Sequence, residues 1–157
     1  MAEMNVIRFV VIVDQLFTRS KSGAVWGRIY FEIDEGQFFP NREWTDLVAA
    51  FSRGWLDCLL QLAQGTTLRS TVPFYDGPFQ VDIVAYSPGL VKLSFLGRED
   101  VRHSATAAID ALLKDGLSAA EKVLRNCQQL GWNNQDTEAL ETLLMQGANA
   151  LARLGGA

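Results

Sequence analysis

Residues 42–64 read REWTDLVAAFSRGWLDCLLQLAQ, and the folding of this stretch decides what the rest of the chain must do. Set Trp44 at zero and advance about 100° per residue: Leu47, Val48, Phe51, Trp55, Leu59 and Leu62 then fall within about 60° of it. A second apolar set, Ala49, Leu56, Leu60 and Ala63, lies about 100–160° round the same axis. Asp46, Arg53, Asp57 and Gln64 form a polar edge. The spacing predicts a helix over 42–64 that is apolar on two flanks. Such a helix must be covered twice, by a sheet on one flank and by other helices on the next. Gly65 is placed to stop it.

Strand patterns surround this helix. VIRFVVIVD (6–14) is a near-continuous run of β-formers, and AVWGRIYFEID (24–34) alternates with period two. After the helix, 66–74, 79–86 and 90–97 alternate again, separated by YDGP and SPG turns. In VPFYDGPF (72–79) Asp76 reads as the corner of a hairpin, its carboxylate capping local amides. From residue 98 onward the pattern turns helical. One helix is expected over 101–114, ended by KDG. A second follows the capping box SAAE (118–121) and stops at Gly131, and a third covers 136–153 before a fraying GGA tail. The expected fold is a single α+β domain, strand-rich over 1–97 and helical over 98–154. It has one five-stranded, mainly antiparallel sheet, with one face covered by the central helix and the C-terminal helices.

Composition narrows the function. The 157 residues carry 14 Lys and Arg against 18 Asp and Glu, a net charge of −4. That balance argues against nucleic acid and against anionic membrane surfaces, and it suits a basic protein partner. The apolar run near the start is too short to span a bilayer and lacks a basic flank, so a cytoplasmic location is expected. Cys58 and Cys127 sit inside apolar helical patterns and read as reduced core residues. His103 is the only histidine, which rules out a multi-histidine zinc site. No G-x-S-x-G, P-loop or G-x-G-x-x-G motif occurs. The last two helices make a poor DNA reader, because the final one opens on Asp136, Glu138 and Glu141. Neither a metal nor a cofactor is expected.

The feature with functional content is the outward row of strand 24–34: Trp26, Arg28, Tyr30 and Glu32, followed by Asp34 and Glu35. Arg69 and Asp82 share its parity on later strands. Trp, Tyr and Arg are the residue types that dominate binding hot spots. These eight residues are the candidate partner-binding set. The competing reading is a sheet face covered by the protein's own loop or by a symmetric copy in a homodimer.

Three segments carry a family resemblance: VWGRIYFEID (25–34), FFPNREWTDLVAAFSRGWLDCLLQL (38–62) and VPFYDGPFQVDIV (72–84). Together they resemble bacterial immunity proteins of contact-dependent growth inhibition and other polymorphic toxin systems. The resemblance implies a protein that neutralises a cognate toxin, often a nuclease, by direct binding, and it brings no catalytic residues with it. Two alternatives stand beside it. One is an acidic type III secretion chaperone that binds an effector segment, although those chains usually open with a helix. The other is a small hydrolase in which the carboxylates at 32–35 converge with Asp76 or Asp82 in a deep pocket.

Overall fold

The computed structural model describes residues 4–155. Its elements run β1 (Ile7–Ile12), β2 (Thr18–Arg19), β3 (Val25–Ile33), β4 (Gln37–Phe39), β5 (Thr45–Leu47), α1 (Val48–Ala63), β6 (Arg69–Pro73), β7 (Gln80–Ser87), β8 (Leu90–Leu96), β9 (Val101–Ala108), α2 (Ile109–Gln129) and α3 (Gln135–Gly155). The expected α+β class and antiparallel pairing are present, but the strands form two sheets rather than one five-stranded sheet. In the first, β3 is central: β1 and the two-residue β2 pair along one edge, and the short β4 and β5 share the other. The second is a meander, β6-β7-β8-β9.

The reason for the division lies where the two sheets meet. Asn5 N–H donates to the Thr106 carbonyl at 2.7 Å, but Thr106 N–H donates back to the Asn5 side-chain oxygen at 2.9 Å. A side chain stands where a ladder needs a backbone carbonyl, so pairing ends after one residue. Beyond that point α2 seals the free edge of β1. Phe9 N–H donates to Asp115 at 2.8 Å, and Lys122 Nζ donates to the Val11 carbonyl at 2.7 Å. The outer border of β6 is blunted as well: Thr67 Oγ1 donates to the Arg69 carbonyl at 2.8 Å, and Pro73 has no N–H to offer.

Asp115 is half-buried, and burial pushes its carboxyl above the ordinary range against the pull of the Phe9 N–H and of Arg8. A raised folded-state value favours the protonated form. The group's contribution is therefore fully present below the unfolded carboxylate range and is lost as pH rises through the folded value. An amide in place of this carboxyl would still accept from Phe9 N–H without burying a charge. Asp115→Asn should therefore gain stability relative to the wild type as pH climbs from about 4 to about 7. Urea midpoints measured across that range check the trend, and a gap that stays constant contradicts it.

Helix α1 packs on α2 and α3 and on β3, β5 and β6, so both of its apolar flanks are covered as its sequence predicts. Phe51, Trp55, Leu56 and Leu59 are fully buried along it. It starts at Val48, not at residue 42. Residues 45–47 pair with β3 instead, and Trp44 lies outside the helix with its ring edge-on to Phe79 at 5.1 Å. The ends at Gly65 and Gly131 are as expected. At each, the glycine N–H and the next N–H reach back to carbonyls of the last turn, and the glycine takes positive φ (+73° and +72°).

The region after residue 98 departs from expectation. Residues 101–108 are β9, paired with β8, and not a helix. Helix α2 then runs unbroken through KDG and SAAE. Gly116 does not end it: a Cβ there would stand 3.1 Å from Leu59 Cδ1, so glycine lets α2 close on α1. The final two residues of the GGA tail lie outside the described residues. Among the described residues, no helix is long and apolar enough to cross a membrane.

Candidate interaction surface

Strand β3 alternates buried and half-buried along its whole length. Val25, Gly27, Ile29, Phe31 and Ile33 turn inward, where Gly27 leaves room for Phe17 and Val48. Trp26, Arg28, Tyr30 and Glu32 turn outward and keep part of each side chain in solvent. Cross-strand register extends this row into a surface. Trp26 faces Thr18 and Leu47, Arg28 faces Ile12 and Thr45, Tyr30 faces Val10, and Glu32 lies between Arg8 and Phe38. The Tyr30 and Phe38 rings meet edge to face at 5.6 Å, and the Arg42 guanidinium lies 5.0 Å from the centre of the Phe38 ring.

The outer face is therefore apolar in the middle and charged at the margin. Val10, Ile12, Tyr30 and Phe38 are half-buried neighbours on an antiparallel sheet face that would ordinarily be polar. This also explains the near-continuous apolar run of β1: apart from Arg8, its outward residues Val10 and Ile12 are apolar as well as its inward Ile7, Phe9 and Val11. Sequence reading missed Val10, Ile12, Phe38 and Arg42. The first two were legible from the parity of 6–14, whereas Phe38 was hidden because it lies between Gly36 and Pro40, two residues that interrupt a strand pattern.

Two of the charged candidates are committed internally. Arg28 forms an ion pair with Asp14, leaving its Nε buried without a partner among the described residues. Asp14 is held below the ordinary carboxylate range by the Leu16 N–H and then by Arg28. Asp34 accepts from Asn5 Nδ2 at 2.7 Å and from Val6 N–H at 2.9 Å, and those two bonds, the Asn5 amide foremost, hold its carboxyl low. Asp34 is thus a clamp on the start of β1, at a turn where it takes φ +55°. Glu35 is exposed beside it. Val6, Arg8, Glu32, Asp34 and Glu35 line one open depression of about 550 Å³.

Arg69 and Asp82 do not join this row, because they belong to the second sheet. Arg69 is exposed on β6. Asp82 accepts from Thr71 Oγ1 at 2.8 Å and from Gln80 Nε2 at 3.1 Å. Asp76 is not in the depression either: it sits in the β6–β7 turn, and its carboxylate does not cap that turn. The capping carboxylate is Asp46, fully buried on β5, which accepts from Tyr75 N–H and Asp76 N–H at 3.2 Å. The convergence required by a carboxylate hydrolase at 32–35 with Asp76 or Asp82 is therefore not built. Burial raises both thiols, Cys58 and Cys127, to about 11, so each is protonated at neutral pH. Among the described residues, no group of three or more His, Cys, Asp or Glu is placed to hold a metal ion.

No protein-family model, curated protein or solved structure matches this chain. What the protein does is therefore to be read from its own surface.

Proposed function

We propose that this chain is a non-enzymatic binding protein that neutralises a cognate bacterial toxin by docking on the outer face of its first sheet. The observation that supports the reading is the half-buried apolar and aromatic centre of that face, Val10, Ile12, Trp26, Tyr30 and Phe38, with arginines at its margin. Aromatic anchors on a rigid central strand lose little conformational freedom on binding, and so retain most of their contact energy. Glu32 and Glu35, with the net charge of −4, favour a basic partner and speed encounter at low salt. The likeness of residues 25–86 to immunity proteins points to the same kind of partner.

The test is co-purification with the C-terminal domain of the toxin encoded beside this gene, together with protection of cells that express that domain. A stable complex and survival are expected, and neither binding nor protection rejects the reading. Within such a complex, Trp26→Ala and Tyr30→Ala should each weaken affinity by about 2 kcal/mol or more, roughly thirtyfold, as hot-spot truncations do. Calorimetric titration checks this. Affinities unchanged by both variants would move the docking site elsewhere.

A further inference from the structure

We infer that the α2–α3 layer is a self-association surface, on which a second copy of this chain lays its α3 antiparallel to the first. A groove of about 610 Å³ lies between these helices; Leu117, Leu124, Leu144, Met145 and Leu151 line it, with Lys114 and the Glu121–Arg125 ion pair among its polar groups. Met145 is 68 % exposed at its lip. At about 100° per residue, Glu138, Glu141, Ala148 and Ala152 lie within about 60° of Met145 on α3, and all four are exposed. This side of α3 is therefore acidic in its first half and small and apolar in its second.

The charges argue for a second copy as the occupant. Gly147 marks the level of Leu117, since a Cβ there would stand 2.5 Å from Leu117 Cδ2. The two helices run in opposite directions, so Lys114 lies level with Ala150. A second α3 placed antiparallel, with the two-fold axis at Met145, runs parallel to α2. Glu141 of the second copy then comes level with Asn149, and its Glu138 with Ala152, on either side of Lys114. Arg153 of the second copy comes level with Thr137, beside Glu138 of the first. Because the arrangement is isologous, each pairing occurs twice. One register thus satisfies Lys114, Glu138, Glu141 and Arg153 while the two Met145 side chains meet over the groove.

Sedimentation equilibrium of the full chain tests this. A dimer with a micromolar or tighter dissociation constant is expected. Met145→Arg should weaken it at least tenfold while leaving the circular dichroism unchanged. Lys114→Glu should also weaken it, and combining that change with Glu141→Lys, which leaves the Glu138–Arg153 pairing intact, should restore part of the loss. A wild-type chain that stays monomeric overturns the inference, as does a dimer indifferent to Met145→Arg. A groove that binds only another protein appears here as the monomer outcome. Because the Trp26 face lies on the sheet side of the molecule, toxin binding by the Met145→Arg monomer separates this inference from the function proposed above.

Discussion

Phe31→Ala should lower the free energy of unfolding by about 3–5 kcal/mol, the range for removing a fully buried phenylalanine. The size of the effect follows from its neighbours. Phe31 has no exposed surface, and its ring lies 4.8 Å from Trp55, 5.2 Å from Phe9, 5.5 Å from Phe95, 6.0 Å from Phe51 and 6.2 Å from Phe74, measured between centroids. Those partners come from β1, α1, β8 and the turn after β6. One side chain therefore joins both sheets to the helix, and little can collapse into the space it leaves. Domains of this kind are stable by about 5–15 kcal/mol, so the variant should sit near the edge of folding. Urea denaturation should show a lower midpoint with an unchanged slope. A loss below about 1 kcal/mol would mean that the cluster repacks and is not the keystone described.

Asp46→Ala should cost a similar amount by a different mechanism. Trp44 Nε1 donates to the Asp46 carboxylate at 2.9 Å, and Leu47 N–H donates at 2.7 Å. Tyr75 N–H and Asp76 N–H each donate at 3.2 Å. Alanine would leave four donors without an acceptor, at about 1–3 kcal/mol for each that stays buried. The turn will relax and re-expose some of them, so a net loss of about 3–5 kcal/mol is expected. Asp46→Asn should recover less than half of it. Both carboxylate oxygens face N–H groups, so an amide nitrogen on either side meets a donor. Denaturation midpoints of the two variants, with Trp44 emission as a local probe, measure this. An asparagine variant as stable as the wild type would show that one oxygen suffices.

Much of the architecture was legible because it rests on periodicity. The alternation of 24–34, the paired flanks of α1 and the glycine stops at 65 and 131 are local signals that tertiary packing reinforced. The misreadings have physical causes. VRHSATAA offers no large alternating residues, because the buried positions of β9 are Ala105 and Ala107; alanine reads as helix, and only pairing to β8 makes the segment a strand. Gly116 looks like a stop because an interior glycine costs about 1 kcal/mol against alanine, and the contact with Leu59 that offsets this is invisible in one dimension. Trp44 fits the helical stripe of α1 by spacing alone, but β3 captures residues 45–47 first. Local spacing points to Asp76 as the turn carboxylate, whereas Asp46 supplies it from far back in the chain, across the sheet boundary. The candidate surface was half legible: parity placed the β3 row, but not the separation of Arg69 and Asp82 onto another sheet.

The side chains that close β1 and β6 also limit how a further chain could attach to this protein. With Asp115, Lys122, Thr67 and Pro73 occupying those borders, an invading strand finds few main-chain groups there to pair with. On the docking face proposed above, discrimination between partners would then rest on side chains, where a single codon change alters one contact and leaves the scaffold intact.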